Sequence, residues 1–247
     1  MAVRSFEIWR GEGTSGGLRP YTTEVSPGMV VLDAVHRIQA ESANDLAVRW
    51  NCKAGKCGSC SAEINGRPRL MCMTRLSDLP EDRPVTVAPM RAFPPVRDLV
   101  TDVSSSYEAK RKIKPFAPRP PDDKDGSWRM AQADVDRVQE FRKCIECFLC
   151  QDVCHVLRDH GMHERFVGPR VLVHVAALEM HPLDVADRLP ELRAEHGAAL
   201  CNITKCCTTV CPEGIAITDN AIIPLKERIV DRYFDPLRTF LRIVGID

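Results

Sequence analysis

Twelve cysteines occur in 247 residues, and eleven of them fall into three groups of fixed spacing. The run Cys144-Ile-Glu-Cys147-Phe-Leu-Cys150-Gln-Asp-Val-Cys154 is C-x2-C-x2-C-x3-C. A second run, Cys201-Asn-Ile-Thr204-Lys-Cys206-Cys207-Thr-Thr-Val-Cys211-Pro212, keeps that frame but carries Thr204 at the second cysteine position. Runs of this spacing hold cubane iron–sulfur clusters, and the fourth cysteine of each ligates the cluster of the other run. Cys144, Cys147, Cys150 and the crossing Cys211 thereby supply four thiolates to a 4Fe–4S cluster. Cys201, Cys207 and the crossing Cys154 supply three, because a threonine hydroxyl does not replace a soft thiolate. Three thiolates suit a 3Fe–4S cluster, which lacks one corner iron. Cys206 lies one residue off the frame and reads as a small thiol beside the cluster; the alternative is a fourth ligand that restores the missing iron.

The third group is Cys52-Lys-Ala-Gly55-Lys-Cys57-Gly58-Ser-Cys60, a C-x4-C-x2-C spacing whose fourth member is Cys72. This is the plant-type 2Fe–2S pattern. A loop that wraps an anionic cluster must turn several backbone N–H groups inward, and glycine permits the dihedrals this requires. A structural zinc is the competing reading, but zinc favours two short C-x2-4-C or H-x3-5-H pairs rather than three cysteines in one glycine-rich loop. Disulfides belong to secreted chains, and clustered C-x2-C spacings point to metal instead. His155, His160 and His163 follow Cys154 closely and read as neighbours of the cluster or surface residues.

Positioning these loops calls for two kinds of scaffold. Phe6 and Ile8 alternate in a strand over 3–9, Gly11–Gly17 turns the chain, and Tyr21–Val25 gives a second strand. Val31, Ala34, Val35 and Ile38 recur at helical spacing, so 30–41 is a helix with one buried face. Ser61–Ile64 and Arg67–Met71 flank Asn65-Gly66 as a hairpin, and Val85–Ala88 adds a strand. Residues 1–95 thus fit a small sheet packed on one helix. Leu99, Val100, Val103 and Tyr107 suggest a helix over 97–112, ending in the solvated basic run Lys110–Lys114. Four prolines in residues 115–121 mark a semi-rigid linker. Beyond it the pattern is helical: Ala133–Arg142, a helix begun by Gly168-Pro169, another over 184–195, and a stripe of Ile222, Leu225, Ile229, Val230 and Phe234. The tail Leu237–Ile246 reads as a docking or capping segment. The expected domains are 1–106, a linker at 107–127, and 128–247.

Lys plus Arg and Asp plus Glu both number 34, so no polybasic arm points to nucleic acid or a membrane surface. The N-terminus runs straight into a strand pattern, without an apolar leader, and no apolar run is long enough to span a bilayer. The chain is therefore expected on the cytoplasmic side, with membrane association only through a partner. No nucleotide loop, nucleophile elbow or acid–base pair is visible. Three clusters without a substrate site make a wire.

The ordered set resembles the iron–sulfur subunit of succinate dehydrogenase and fumarate reductase over nearly the whole chain. It comprises Cys57-Gly-Ser-Cys60, Asp98-Leu-Val, Ile113-Lys-Pro115, Cys144-Ile-Glu-Cys147, Phe166-Val-Gly-Pro169 and Val210-Cys211-Pro212, with the proline-rich joint and the incomplete second run. The resemblance implies an α+β fold: an N-terminal β-grasp 2Fe–2S ferredoxin domain followed by an all-α helical ferredoxin domain. It implies a flavoprotein partner carrying FAD, a membrane anchor with quinone, and electrons passing through the 2Fe–2S, 4Fe–4S and 3Fe–4S clusters between them. It places the chain peripherally at the bacterial inner membrane. Plant-type clusters lie near about −400 mV, so the surroundings of Cys52–Cys72 are expected to raise that value. The ubiquinone-reducing branch has Pro, Ser and a tryptophan pair after the crossing cysteine and a histidine after the next; here His155 follows Cys154 and Asn202 follows Cys201. That departure points to menaquinone. Fumarate reduction by the same wire, a free-standing multi-cluster ferredoxin, and a wire for another flavoprotein dehydrogenase are the competing readings.

Overall fold

The computed structural model describes residues 2–236. The tail Leu237–Ile246, for which a docking role was considered, lies outside the described residues. The chain divides into two compact units. The first joins residues 2–104 to 144–161 and 209–213; the second takes 105–143, 162–208 and the described residues from 214 on. In chain order the α-helices are α1 (Val31–Glu41), α2 (Ser104–Arg111), α3 (Gln132–Gln139), α4 (Leu149–Asp152), α5 (His155–Arg158), α6 (Gly168–Glu179), α7 (Leu189–Ala194), α8 (Cys206–Thr209) and α9 (Ile223–Tyr233). Among the described residues no helix is long and apolar enough to cross a membrane.

The N-terminal part of the first unit is a mixed sheet packed on α1, to which 144–161 add the short helices α4 and α5. The strands are β1 (Ala2–Glu12), β2 (Ser15–Val25), β3 (Ser61–Ile64), β4 (Arg67–Leu70), β5 (Val85–Ala88), β6 (Pro95–Arg97) and β7 (Val100–Thr101). Their order is β4-β3-β5-β1-β6-β7, with β2 paired antiparallel to β1. The β1–β5 pair is parallel, Phe6 opposite Val85 and Ile8 opposite Val87. These four side chains are fully buried, together with Val31, Ala34, Val35 and Ile38 of α1. The helical period of those α1 residues and the strand alternation of Phe6 and Ile8 therefore meet in one core. The Asp33 carboxylate accepts the Val30 N–H at 3.2 Å, satisfying a donor at the helix start. This is the β-grasp arrangement, and with the helical second unit it makes the chain α+β.

The helix expected over 97–112 starts only at Ser104; residues 95–101 form β6 and β7 instead. One residue decides this. Asp98 takes a left-handed φ of 49° and sits buried, accepting hydrogen bonds from the N–H of Gly11 (3.0 Å), the N–H of Ala47 (2.8 Å) and Nε of Arg10 (3.0 Å). The turn of the first hairpin is also tighter than expected, since Gly11, Gly16 and Gly17 are paired within β1 and β2.

The second unit packs α6 against a π-helical turn at Ile217–Ile222 that leads into α9. Pro169 stands in the first turn of α6, where its missing N–H costs nothing. The helix expected over 184–195 is shortened to α7, and of the C-terminal stripe Ile222, Leu225 and Ile229 are buried while Val230 and Phe234 are exposed. The proline-rich stretch is pinned by backbone bonds from Arg119 to Leu183 (2.8 Å) and from Val185 to Ala117 (2.9 Å). Lys114, placed in a solvated run by sequence, pairs with Glu191 at 2.6 Å.

Arg188 holds this region together. Its guanidinium is 2 % exposed and donates to Asp184 (2.7 Å) and to the carbonyls of Lys114 (2.9 Å), Pro115 (2.8 Å) and Ala186 (3.2 Å). Removing one partner of a buried, hydrogen-bonded pair costs about 3–5 kcal/mol. Arg188→Met is expected to lower unfolding free energy by that order in anaerobic denaturant titrations. Arg188→Met/Asp184→Asn is expected to recover part of it, because the stranded charge is gone.

Candidate iron–sulfur centres

All twelve cysteines are unbridged thiols. In the first unit, Cys52 is exposed and Cys57 partly buried, while Cys60 and Cys72 are buried at the end of the β3–β4 hairpin. Lys53 (φ 55°), Gly55 (φ 67°) and Gly58 (φ 67°) adopt left-handed conformations within this loop. Alternating handedness turns successive N–H groups to one side. The N–H groups of Ala54 (3.4 Å) and Lys56 (3.3 Å) point at Sγ of Cys52, that of Cys52 at Cys57 (3.5 Å), and that of Cys72 at Cys60 (3.5 Å). Burial pushes the Cys57 thiol up, but donors from Ser59 and Cys52 outweigh it and bring it down to about 6. Burial pushes Cys60 up to about 12. These donors stabilise sulfur bearing negative charge, whether free thiolate or cluster ligand.

The first cysteine run belongs to this same unit. Cys147, Cys150 and Cys154 are buried, and Cys144 and Cys211 partly so. Cys147 is pushed up to about 12 by burial and then by the neighbouring Cys144 and Cys211 thiols. These three sulfurs therefore share one locality. The run also packs directly on the Cys52–Cys60 loop. A Cβ added at Gly58 would fall 2.7 Å from Cys147 Cα, and the Ser61 hydroxyl bridges the carbonyls of Gly58 (3.0 Å) and Cys147 (2.8 Å). Lys56 of the loop pairs with Glu213, two residues past Cys211, at 3.4 Å. Behind the run, buried Asp152 accepts the Ala92 N–H at 2.9 Å, and Arg158 pairs with buried Glu63 at 2.9 Å.

The second run lies mainly in the other unit and repeats the backbone of the first. Cys147 is flanked by two left-handed residues, Glu146 (φ 54°) and Phe148 (φ 61°). Thr204 is flanked the same way by Ile203 (φ 62°) and Lys205 (φ 62°). One helical turn follows in each, α4 and α8. None of the four is glycine, and each costs roughly 1–2 kcal/mol in that region. A strained pattern that recurs at the same frame positions marks Thr204 as the counterpart of Cys147. The Thr204 hydroxyl lies 3.2 Å from Cys206 Sγ. Burial, then the Cys206 and Cys201 thiols, push Cys207 up. Lys226 anchors the Cys201 carbonyl at 2.6 Å.

The donor set fits iron–sulfur cores: clustered thiols, inward N–H groups and backbones that hold their ligands apart. Among the described residues no three Cys, His, Asp or Glu side chains converge as around a single ion. Multi-iron cores spread their ligands more widely than that. Sequence reasoning found the cysteines but missed Ser61, Ser59 and the close approach at Gly58. A serine beside a cysteine gives no signal of its own, whereas the need for glycine at Gly58 lies in a contact from a residue 89 positions on.

Residues 5–108 match a family model described as a 2Fe–2S iron–sulfur cluster binding domain, and 140–215 one described as a 4Fe–4S dicluster domain. The chain is 36% identical over 200 residues to the fumarate reductase iron–sulfur subunit of Mycobacterium tuberculosis, covering 79% of each chain. It is 29% identical over 236 residues to the succinate dehydrogenase iron–sulfur subunit of Paracoccus denitrificans, covering 93% of this chain and 89% of that one. Its fold matches a chain of the Mycobacterium smegmatis Sdh1 complex in the apo form with a TM-score of 0.91 and 62% identity, over 95% of this chain and 98% of the other. Fold and cysteine loops together define an electron-transfer protein carrying iron–sulfur clusters. The chain belongs to the family of iron–sulfur subunits of succinate dehydrogenase and fumarate reductase.

Gly58→Ala is expected to reduce iron incorporation at the Cys52 loop and the first cysteine run together, measured as iron per chain and as loss of both visible and paramagnetic resonance signals. Gly66→Ala is the control. It has a similar φ of 73° but open space around the new Cβ, and it should leave iron content unchanged.

Proposed function

We propose that the chain is the electron-transferring iron–sulfur subunit of a succinate dehydrogenase, itself without substrate chemistry. Cys52, Cys57, Cys60 and Cys72 hold a 2Fe–2S cluster. Cys144, Cys147, Cys150 and Cys211 hold a 4Fe–4S cluster. Cys201 and Cys207, with Cys154 assigned by the sequence frame, hold a 3Fe–4S cluster. When bound, such clusters take up and release single electrons. The observation that carries the reading is the seating of Gly58 on Cys147, which sets one ligand loop against another with only backbone between them. That contact gives electrons a short covalent and hydrogen-bonded route, reinforced by Ser61 bridging Gly58 and Cys147. The N–H groups aimed at Cys52, Cys57 and Cys60 favour the reduced state and so raise the potential of that cluster, which acceptance of electrons from succinate requires.

The donor is a flavoprotein subunit carrying FAD, and the acceptor is quinone at a membrane-anchor subunit. On this reading the flavoprotein faces the rim of the first unit where Cys52, Trp50 and Met73 are exposed. Asn202 after Cys201 and His155 after Cys154 favour menaquinone. The chain sits peripherally on the cytoplasmic face of the inner membrane. The same wire serves fumarate reduction when the quinone pool is strongly reducing. A shuttle ferredoxin is excluded if the chain co-purifies with flavoprotein and anchor, and another flavoprotein dehydrogenase is excluded if succinate reduces the clusters.

Thr204→Cys supplies the missing thiolate at the position matching Cys147. It is expected to replace the oxidised 3Fe–4S resonance by a reduced 4Fe–4S signal at lower potential. An unchanged spectrum rejects the ligand frame, and purified chain without any 3Fe–4S resonance rejects the three-iron assignment.

A further inference from the structure

Cys206 has no place in the ligand frame, yet the structure sets it against the one position where that frame is deficient. Its Sγ lies 3.2 Å from the Thr204 hydroxyl, and Thr204 occupies the backbone site that holds a ligand cysteine in the first run. The residue matching Cys206 in the first run is Leu149, which is 1% exposed and committed to the core of its unit. Cys206 is only partly buried and has no such commitment. It is also the immediate neighbour of Cys207 at the start of α8. Thr204 and Lys205, its neighbours in the loop, are exposed.

We propose that Cys206 is a reserve fourth ligand, which lets this centre take up ferrous iron and change from three irons to four. The inference rests on the three-iron assignment above. The balance needs no outside oxidant. One electron, supplied by the protein's own transfer activity, brings the three-iron core to two ferric and one ferrous ion with four sulfides, net charge zero. Addition of one Fe²⁺ gives a four-iron core of charge +2 with no further electron transfer. The Cys206 thiol releases its proton to solvent as its sulfur–iron bond forms. The hydrogen bond between the Thr204 hydroxyl and that thiol is given up on ligation. Oxidation with loss of the same iron reverses the change. The centre would then report ferrous iron supply, lowering its own potential when iron is plentiful.

The test uses the purified complex, handled anaerobically, as wild type, Cys206→Ala and Cys206→Ser. Each is reduced with dithionite, given two equivalents of ferrous salt, desalted and mildly reoxidised. The 3Fe–4S resonance and iron per chain are then measured. Wild type is expected to lose at least fivefold of the resonance and gain about one iron, while Cys206→Ala retains both values. Retention of the signal by wild type overturns the proposal and leaves the three-iron assignment standing, as does an equal loss in Cys206→Ala. Absence of the signal from both proteins at every stage overturns both. Cys206→Ser, nearly isosteric, separates ligation from packing: partial uptake with a shifted signal is expected, and behaviour identical to wild type counts against a thiolate ligand.

Discussion

Like-charged thiolates in a poorly hydrated site are the constraint on which this structure depends. Burial opposes ionisation of Cys60, Cys147 and Cys207, and each feels further thiols nearby. At the partly buried Cys57, hydrogen bonds outweigh burial. The remaining thiols ionise when an iron core supplies positive charge, so cluster binding and folding of these loops are coupled. The same requirement explains the conformations around them. Left-handed residues on both sides of Cys147 and of Thr204 are costly in isolation, and they persist because the loop must present ligands and N–H groups inward.

The seating of the first cysteine run on the N-terminal sheet follows from this economy of contact. Cys147 and Leu149 join the same buried cluster as Phe6, Ile8 and Ile64. A loop built to hold a cluster has little apolar surface of its own, and it gains rigidity by borrowing the core of the sheet. Gly58 permits that approach, and Ser61 ties the two backbones. The electron route and the packing are thus one set of contacts.

Much of this was legible in the sequence, for reasons that differ from element to element. The cysteine spacings announce themselves because ligand geometry fixes them. The Asn65-Gly66 hairpin and α1 were readable from turn chemistry and period alone. Strands β6 and β7 were not, because Leu99, Val100 and Val103 mimic a helical spacing while the deciding residue, Asp98, acts through partners at Gly11 and Ala47. The left-handed pairs were equally hidden: Glu146, Phe148, Ile203 and Lys205 carry no glycine signal, and a bulky residue in that region is explained only by what the loop holds. The assignment of 144–161 to the N-terminal unit also depends on contacts distant in sequence.

The repeated backbone of the two runs separates two properties that a single run would confound. Loop conformation is set by the flanking residues and by the helical turn that follows, and it survives the exchange of a cysteine for Thr204. Ligand count is set by the side chain at that one position. On the proposed ligand sets, the number of irons can therefore differ between two sites of nearly identical local geometry, and potential can be graded along the wire without redesign of the fold. A thiolate adds negative charge to its cluster and lowers the potential; its omission raises it. A site short of one thiolate is accordingly suited to the acceptor end of a path that begins at the loop of Cys52. On the same proposal, the partly exposed thiol of Cys206, one residue from the frame, is the group placed to reverse that choice.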